Sequence, residues 1–341
     1  MFYRSIVVNK TGPPEVLEIV ENELLPPQHR EVRIKVLATP VCAPDISARS
    51  GEALYSGTPL SQKVPFVPGY AVIGIVDAIG LGVSEVGVGD RVGALTVTGG
   101  CTEYLYWRSD RLIPVPRTVD PAEAATLILN YIVAYQTMHR SAKVKAGDKV
   151  LIIGASGGIG TALLQLGHLA GLTMYGIASK SKHSIVTKYG AAPIDYYTQD
   201  FVEVIRKLET QGLDVVLDGM MRMNYIKGSL SLLNRGGRIV SFGEPESLSA
   251  LFRILGAFIS TNLKPNGKSM KLYGTSSYFL FNKRPYLEDW ATLFKLLEER
   301  KIEPIIMQKF SIFEAATAQT LLESGQVTGN IVLVSEELLP S

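Results

Sequence analysis

The chain has 341 residues, 46% of them hydrophobic and 19% charged, which is enough for two domains that each bury their own core. Its 34 basic and 32 acidic residues leave a net charge of +2, so the total carries no electrostatic footprint for nucleic acid. Two cysteines, Cys42 and Cys101, and four histidines, His29, His139, His168 and His183, exclude a disulfide framework and a multi-thiolate metal lobe.

The first ~120 residues carry short β-branched runs separated by turn chemistry. Ile6-Val-Val8, Val32-Arg-Ile-Lys-Val36 and Ala71 to Val76 read as strands, punctuated by Thr11-Gly-Pro-Pro14 and Gly87-Val-Gly-Asp90. The texture changes at Asp120, which can cap a helix with Pro121 at its first position, and a helical stretch runs on through Ala142. Strands then alternate with helices. Lys149 to Ile153, Thr173 to Ile177, Leu213 to Asp218 and Arg238 to Phe242 read as strands. Helices are expected from Gly158, around Lys182 to Tyr189, and over Phe201 to Thr210. That spacing predicts an α/β, doubly wound parallel sheet. A helix over Tyr286 to Arg300 leads back to β-like segments, Ile305 to Phe310 and Asn330 to Val334. The expected domains are therefore 1–124 completed by 300–341, and a nucleotide-type domain over 125–299. Leu251 to Asn266, apolar and then Lys264-Pro-Asn266, reads as a cover over a site or an interface.

The strongest local motif is Val150-Leu-Ile-Ile-Gly-Ala-Ser-Gly-Gly-Ile-Gly160, a glycine-rich turn between a strand and a helix. Read as a variant of G-x-G-x-x-G, its positions are Ala155, Gly157 and Gly160, serving a tight turn, close approach to a pyrophosphate, and helix–strand packing. The helix amino terminus, with Ser156, Gly158 and Ile159, offers N–H groups and partial positive charge to phosphates. A carboxylate ~20 residues on would hold the ribose hydroxyls of NAD. None occurs between Asp148 and Asp195, and the expected place reads Ala178-Ser-Lys-Ser-Lys-His183. Ser179 with Lys180 and Lys182 suits a 2′-phosphate, so NADPH is the expected cofactor. A similar turn occurs in short-chain dehydrogenases, but no Tyr here is followed by Lys at the fourth position.

The order of parts resembles the medium-chain dehydrogenase/reductase superfamily over essentially the whole chain. More narrowly it is similar to the zinc-independent quinone oxidoreductase group, including the vesicle amine transport protein branch. Arg49-Ser-Gly51 with Tyr55, Val67-Pro-Gly69, Gly87 to Val92, Ala124 to Tyr135, Val144 to Val150, Asp214 to Asp218, Gly236 to Val240 and Thr328 to Leu333 carry the likeness. It implies a GroES-like β domain beside a Rossmann domain. It also implies that Ser179, Lys182 and Tyr196, in Ile194-Asp-Tyr196, contact the 2′-phosphate. Where the group often ends Gly-Lys, this chain has Gly329-Asn330, which makes Asn330 a candidate in place of a late basic contact.

Zinc enzymes of the superfamily use a Cys and a Gly-His-Glu segment. Cys42 stands near the first place, but the second reads Gly69-Tyr-Ala71, so no metal site is expected. Without zinc to stabilise an alkoxide, hydride must pass to an acceptor that delocalises its own charge, a quinone or α,β-unsaturated carbonyl. Tyr55, Asp45 and Tyr70 are the catalytic candidates. Asp45 also has the alternative of a helix cap, and Tyr70 of filling the vacated volume. Asn130 and Val133, on the linker helix, and Phe242 with Gly243, at a strand end, are expected beside the cofactor. Rival readings are an enoyl-thioester reductase, with Lys264, Lys268 and Lys271 receiving a phosphopantetheine or coenzyme A tail, and a non-catalytic NADPH-binding adaptor. The amino terminus lacks a signal-peptide layout and no apolar run reaches the ~18–20 residues of a membrane span. A cytoplasmic homodimer acting on a small molecule is expected.

Overall fold

The computed structural model describes residues 1–53, 62–275, 279 and 282–339. Two compact units emerge, Met1–Leu129 with Asn282–Ser341, and Asn130–Phe281. In the first, β1 (Phe2–Val8) pairs antiparallel with β2 (Leu17–Glu23). The larger sheet is built on β3 (Glu31–Pro40), which pairs antiparallel with β4 (Ala71–Ile79), and β4 pairs in turn with β5 (Arg91–Leu95). Strand β6 (Tyr104–Arg108) also lies against β3, and the two-residue β7 (Ile113–Pro114) against β5. Apolar and charged residues alternate along Val32–Val36, as a half-buried strand requires: Val32, Ile34 and Val36 are buried in the core with Val72, Val76 and Leu333. Between them Arg33 pairs with Asp77 and Lys35 with Glu337.

The second unit holds β8 (Lys149–Ile153), β9 (Thr173–Ala178), β10 (Ala192–Asp195), β11 (Leu213–Asp218), β12 (Leu233–Ser241) and β13 (Ser269–Leu272). They form one parallel sheet in the order β10-β9-β8-β11-β12-β13. This is the Rossmann order, and the strand sequence reverses between β8 and β11, where such sheets bind ligands at their carboxyl ends. Two strands were not expected from the sequence. Both β10 and β13 are only four residues long and lie at the sheet's edges. A helix over Met223–Leu232 was also missed, because Gly228 interrupts its pattern. A Cβ there would lie 2.5 Å from the Phe201 ring, so glycine is what lets this helix pack on the helix Phe201–Leu208.

The chain then returns to the first unit. Helix Arg284–Glu298, which the sequence reading put with the nucleotide domain, buries Trp290, Leu293 and Leu297 there, and Trp290 Nε1 donates to Leu127 O at 3.2 Å. Strand β15 (Asn330–Val334) pairs antiparallel with β3 and parallel with β14 (Ile306–Ser311).

Asp120 caps the linker helix as expected, accepting from Ala122 N at 2.9 Å and Glu123 N at 3.0 Å with Pro121 at the first position. The helical stretch to Ala142 is not uniform. Leu127–Tyr131 and Gln136–Ala142 are π-helical, a local widening that recurs at functional sites. The Leu251 region forms a helix, Leu248–Leu263, with Ile254 and Thr261 buried on one side. Leu248, Phe252, Ile259 and Leu263 stand exposed on the other. Among the described residues no helix is long and apolar enough to cross a membrane.

Candidate functional site

At the carboxyl edge of the second unit's sheet, the turn after β8 is shaped by glycines whose roles differ in one respect from expectation. The left-handed residue of the tight turn is Gly154, at φ +82°, and not Ala155. Ala155 is fully buried, its N–H bonded to Ile177 O at 3.0 Å, and its methyl packs where Gly176 leaves room. Gly157 precedes the helix Gly158–Leu169, and Ser156, Gly157, Gly158 and Ile159 are half-buried around that helix start. Gly160 fills the packing role: a Cβ would lie 2.1 Å from Gly154 O and 2.6 Å from Ala155 C. The free N–H groups of this helix end, with the macrodipole behind them, suit a pyrophosphate.

The neighbouring strand ends extend this side-chain-free surface. Strand register sets Ile153 beside Asp218, and Asp218 beside Ser241. Gly219 follows β11, and a Cβ on Gly243 would lie 2.4 Å from Gly219 O. Gly154, Gly219 and Gly243 thus line a strip of bare backbone at the point of strand reversal. Phe242 is half-buried at its side, its ring 3.1 Å from the place a Gly219 Cβ would take. The strip is held by Asp218, which accepts from Met220 N at 3.0 Å, Met221 N at 3.1 Å and Ser241 Oγ at 2.9 Å. Burial raises the Asp218 carboxyl above its ordinary range, against those three donors. Asp218, read from the sequence only as the end of a strand and of a family segment, and Gly219 were not among the candidate site residues, although a carboxylate and a glycine closing an apolar strand were a readable signal. Asn130 and Val133 lie in the same unit on the helical stretch, both buried.

The loops after β9 and β10 form the third part. Ser179 opens a short turn through Lys182, with Lys182 N bonded to Ser179 O at 2.9 Å and Ser179 Oγ 3.2 Å from Ser181 Oγ. Partial burial lowers the Lys182 ammonium pKa. Tyr196 is 46% exposed and stacks on Tyr197, which the sequence reading passed over, with ring centroids 4.3 Å apart. The Tyr196 phenol is pushed up to about 12, first by its hydrogen bond with Tyr197 and then by burial. One carboxylate does reach this corner. Asp195, at the end of β10, is buried beside Ala178. Its oxygens accept from Thr198 Oγ1 at 2.8 Å and Tyr197 N at 3.2 Å, both in its own loop, and the Thr198 hydroxyl foremost holds the carboxyl below its ordinary range.

The first-unit candidates have different surroundings. Asp45 is 5% exposed and belongs to a capping box, its Oδ2 accepting from Cys42 N at 3.1 Å and its Oδ1 from Gly69 N at 2.9 Å. Both oxygens serve backbone donors, the helix-cap alternative weighed from the sequence. Burial outweighs those donors and raises Asp45 to about 7. Gly69 sits at φ +110°, and a Cβ on it would lie 2.5 Å from Gly100 Cα, so Asp45 fixes a tightly folded knot of chain. Tyr70 follows, half-buried, its carbonyl accepting from Thr96 N and Val97 N. Burial drives the Cys42 and Cys101 thiols well above their ordinary values, and Cys42 Sγ donates to Pro40 O at 3.6 Å. Among the described residues no three His, Cys, Asp or Glu side chains cluster as a metal site would require. Asn330 is buried, with its amide Nδ2 on Ile305 O at 2.9 Å. Tyr55 lies outside the described residues. A cavity of about 590 Å³ in the first unit, lined by Arg91, Leu112, Arg117, Phe294 and Lys295 among others, contains none of the expected site residues. Of the lysines proposed for a coenzyme A tail, Lys268 Nζ donates to Leu230 O at 2.9 Å and Lys271 Nζ to Ser141 O at 2.7 Å.

Comparison with known proteins agrees with this layout. Residues 28–117 match the alcohol dehydrogenase GroES-like domain, and residues 189–333 match the zinc-binding dehydrogenase domain. The rat quinone oxidoreductase is 30% identical over 342 residues, covering 97% of both chains. The rat synaptic vesicle membrane protein VAT-1 homolog is 33% identical over 262 residues, 76% of this chain and 63% of that protein. The solved quinone oxidoreductase from Coxiella burnetii superposes with a TM-score of 0.84 at 27% identity, covering 98% of this chain and 100% of that one. The chain is a member of the medium-chain dehydrogenase/reductase superfamily, in its quinone oxidoreductase group, and an oxidoreductase of nicotinamide-cofactor type.

Proposed function

We propose that the protein is an NADPH-dependent reductase that transfers hydride to quinones or α,β-unsaturated carbonyls without a metal ion. The observation that carries this reading is the pairing of a bare backbone strip, Gly154, Gly219 and Gly243, with the Ser179–Lys182 turn at the end of the neighbouring strand, where no acidic residue stands between Asp148 and Asp195. When bound, the nicotinamide supplies hydride to a conjugated acceptor. The amides of the Gly154–Gly160 turn receive the pyrophosphate, and Ser179, Lys182 and Tyr196 receive the 2′-phosphate. Phe242, Gly243, Asn130 and Val133 border the remainder of the cofactor, and Asp218 keeps the strip between them in shape.

The donor set of the first unit does not fit a catalytic zinc. Cys42 is a buried thiol turned to a carbonyl, and the Asp45 oxygens are committed to backbone N–H groups. No alkoxide chemistry is therefore assigned to this chain. A conjugated acceptor spreads the incoming negative charge over its own framework, leaving the protein to orient it and to supply a proton from Tyr55 or water. Asp45 acts by fixing Gly69 and the Tyr70 backbone, and Asn330 by fixing the start of β15.

We further propose a cytoplasmic homodimer. Supporting the dimer are the row of exposed apolar side chains on helix Leu248–Leu263 and the outer edge of β13, which among the described residues has β12 as its single sheet neighbour.

The test is oxidation of NADPH against a naphthoquinone, a small enone and an enoyl-coenzyme A, with and without a chelator. Turnover of the quinone or enone, indifferent to the chelator, is expected. Turnover of the thioester alone would make the protein an enoyl-thioester reductase. No turnover despite tight NADPH binding would make it an adaptor, and loss of activity with the chelator would overturn the metal-free mechanism.

A further inference from the structure

Apart from Met1, two methionines stand exposed, Met220 at 41% and Met307 at 48%. Met307 lies on β14 of the first unit, away from every candidate residue of the second. Met220 lies on the bare backbone strip itself. It follows Gly219, a Cβ on Gly154 would lie 3.9 Å from its Sδ, and a Cβ on Gly243 would lie 3.1 Å from its carbonyl carbon. Its thioether therefore rests beside the tight turn, and its backbone borders the other two glycines. The loop is built to keep it there. Asp218 Oδ1 accepts from Met220 N at 3.0 Å and Met221 N at 3.1 Å. Arg222 Nη1 donates to Met220 O at 3.2 Å and to Glu244 O at 3.1 Å, which joins this loop to the one after β12. Met221 is buried at φ +49°, the left-handed region that a non-glycine residue occupies only where its surroundings impose it. A thioether donates no hydrogen bond to a phosphate, so what this anchoring presents to a dinucleotide is a soft, adaptable apolar surface.

We propose that Met220 is an oxidation site that gates the cofactor seat: a hydroperoxide converts its thioether to the sulfoxide in the free protein, the sulfoxide weakens dinucleotide binding, and bound dinucleotide shields the sulfur. The inference rests on reading the strip as the dinucleotide seat. In the step itself the sulfur gives two electrons to the peroxide, the O–O bond breaks, an S–O bond forms, and with hydrogen peroxide the second oxygen leaves as water. The product is polar where the thioether was apolar, and methionine sulfoxide reductases reverse it. Beside Gly154, the sulfoxide oxygen adds an acceptor next to a turn whose N–H groups serve phosphate oxygens, and its hydration must be stripped before the dinucleotide seats. The other sulfurs do not share this exposure. Cys42 and Cys101 are buried in the first unit and Met221 in the second, which leaves Met220 as the exposed sulfur beside the strip.

The test is exposure of wild type to hydrogen peroxide with and without saturating NADP⁺, with the oxidation of each methionine read by peptide mass spectrometry. Met307, similarly exposed in the other unit, is the internal control. Without NADP⁺ the two are expected to oxidise at rates within about 3-fold, since susceptibility follows exposure. Saturating NADP⁺ is expected to slow Met220 about 10-fold or more, by mass action on the unliganded form, and to leave Met307 unchanged. A second arm titrates NADPH by nicotinamide fluorescence before and after peroxide. Oxidised wild type is expected to bind about 10-fold more weakly, the cost of a polar group buried without a partner. Met220→Leu, measured against its own untreated sample, is expected to lose no affinity on treatment. Oxidation of Met220 that ignores NADP⁺ would overturn the inference, as would a wild-type affinity that peroxide leaves unchanged or a loss equal in Met220→Leu. If Met220→Leu does not fold, the protection arm, run on wild type alone, decides. Untreated wild type that binds neither NADPH nor NADP⁺ would instead overturn the dinucleotide reading, and the inference with it.

Discussion

The two units build their candidate sites in opposite ways. In the second unit the site is defined by side chains that are missing: Gly154, Gly219 and Gly243 leave backbone exposed where three strand ends meet, and Gly160 lets the helix close on the turn. In the first unit the candidates are side chains already in use, Asp45 on Cys42 N and Gly69 N, and Asn330 on Ile305 O. At Gly243 and Gly160 an added Cβ would meet backbone at 2.4 Å and 2.1 Å, and Gly154 is held by its φ of +82°, so these glycines are constrained as strictly as any catalytic group. A buried polar side chain serving backbone donors is constrained just as tightly, but by the fold.

That contrast can be broken most sharply at Gly160. Gly160→Ala places a methyl 2.1 Å from Gly154 O and 2.6 Å from Ala155 C, against rigid backbone, and is expected to cost about 3 kcal/mol or more and to abolish cofactor binding. Denaturant unfolding with a cofactor titration checks this, and a variant that folds and binds normally would mean the turn adjusts freely. Asp45 is the counterpart in the first unit. Its folded pKa, about 7, lies above the ordinary 3.8, so the folded state holds a proton that the unfolded state has lost between those values. Its contribution is fully present below about pH 4 and is lost as pH rises to about 7, some 4 kcal/mol in all. Asp45→Asn cannot titrate. Unfolding free energies at about pH 5 and pH 8 should therefore fall with pH in wild type by more than in the variant; equal slopes would remove Asp45 from the account.

Smaller effects sharpen the same contrast. Lys182→Glu is expected to weaken NADPH about 30-fold or more and to leave NADH within about 3-fold, since only the 2′-phosphate meets the reversed charge. Equal loss of both cofactors would move Lys182 out of the seat. Asp120→Ala removes the two N–H acceptor bonds at the start of the linker helix and is expected to cost about 1 kcal/mol with cofactor affinity unchanged. A change in affinity would show that the capped helix start also shapes the nucleotide unit.

Much of this was legible from residue order, for physical reasons that can be named. Long apolar strands such as Lys149–Ile153 and the alternating Val32–Val36 announce themselves by period, and Asp120-Pro121 by capping chemistry. The glycine turn was visible as a motif, yet its tight-turn residue proved to be Gly154, because φ belongs to the backbone and the motif allowed two registers. Strands β10 and β13 were too short to show a period. Asp195 was read only as the next acidic residue in the chain and as the middle of Ile194-Asp-Tyr196, with no role of its own. That it folds back beside Ala178 depends on the pairing of β10 with β9, a long-range contact that no local pattern encodes. Asp45 showed the converse limit: its residue type suited catalysis, while its burial and partners became visible only with Gly69 folded against it.

The central claim is that the second unit's bare backbone strip and cation-bearing loops form a seat for a 2′-phosphorylated dinucleotide. Equilibrium titration of the wild-type protein with NADPH and NADH, side by side at one ionic strength, tests it most directly. The account predicts NADPH binding at least about 30-fold tighter, the worth of charge-assisted contacts to the 2′-phosphate. Equal affinities, or a preference for NADH, would contradict it.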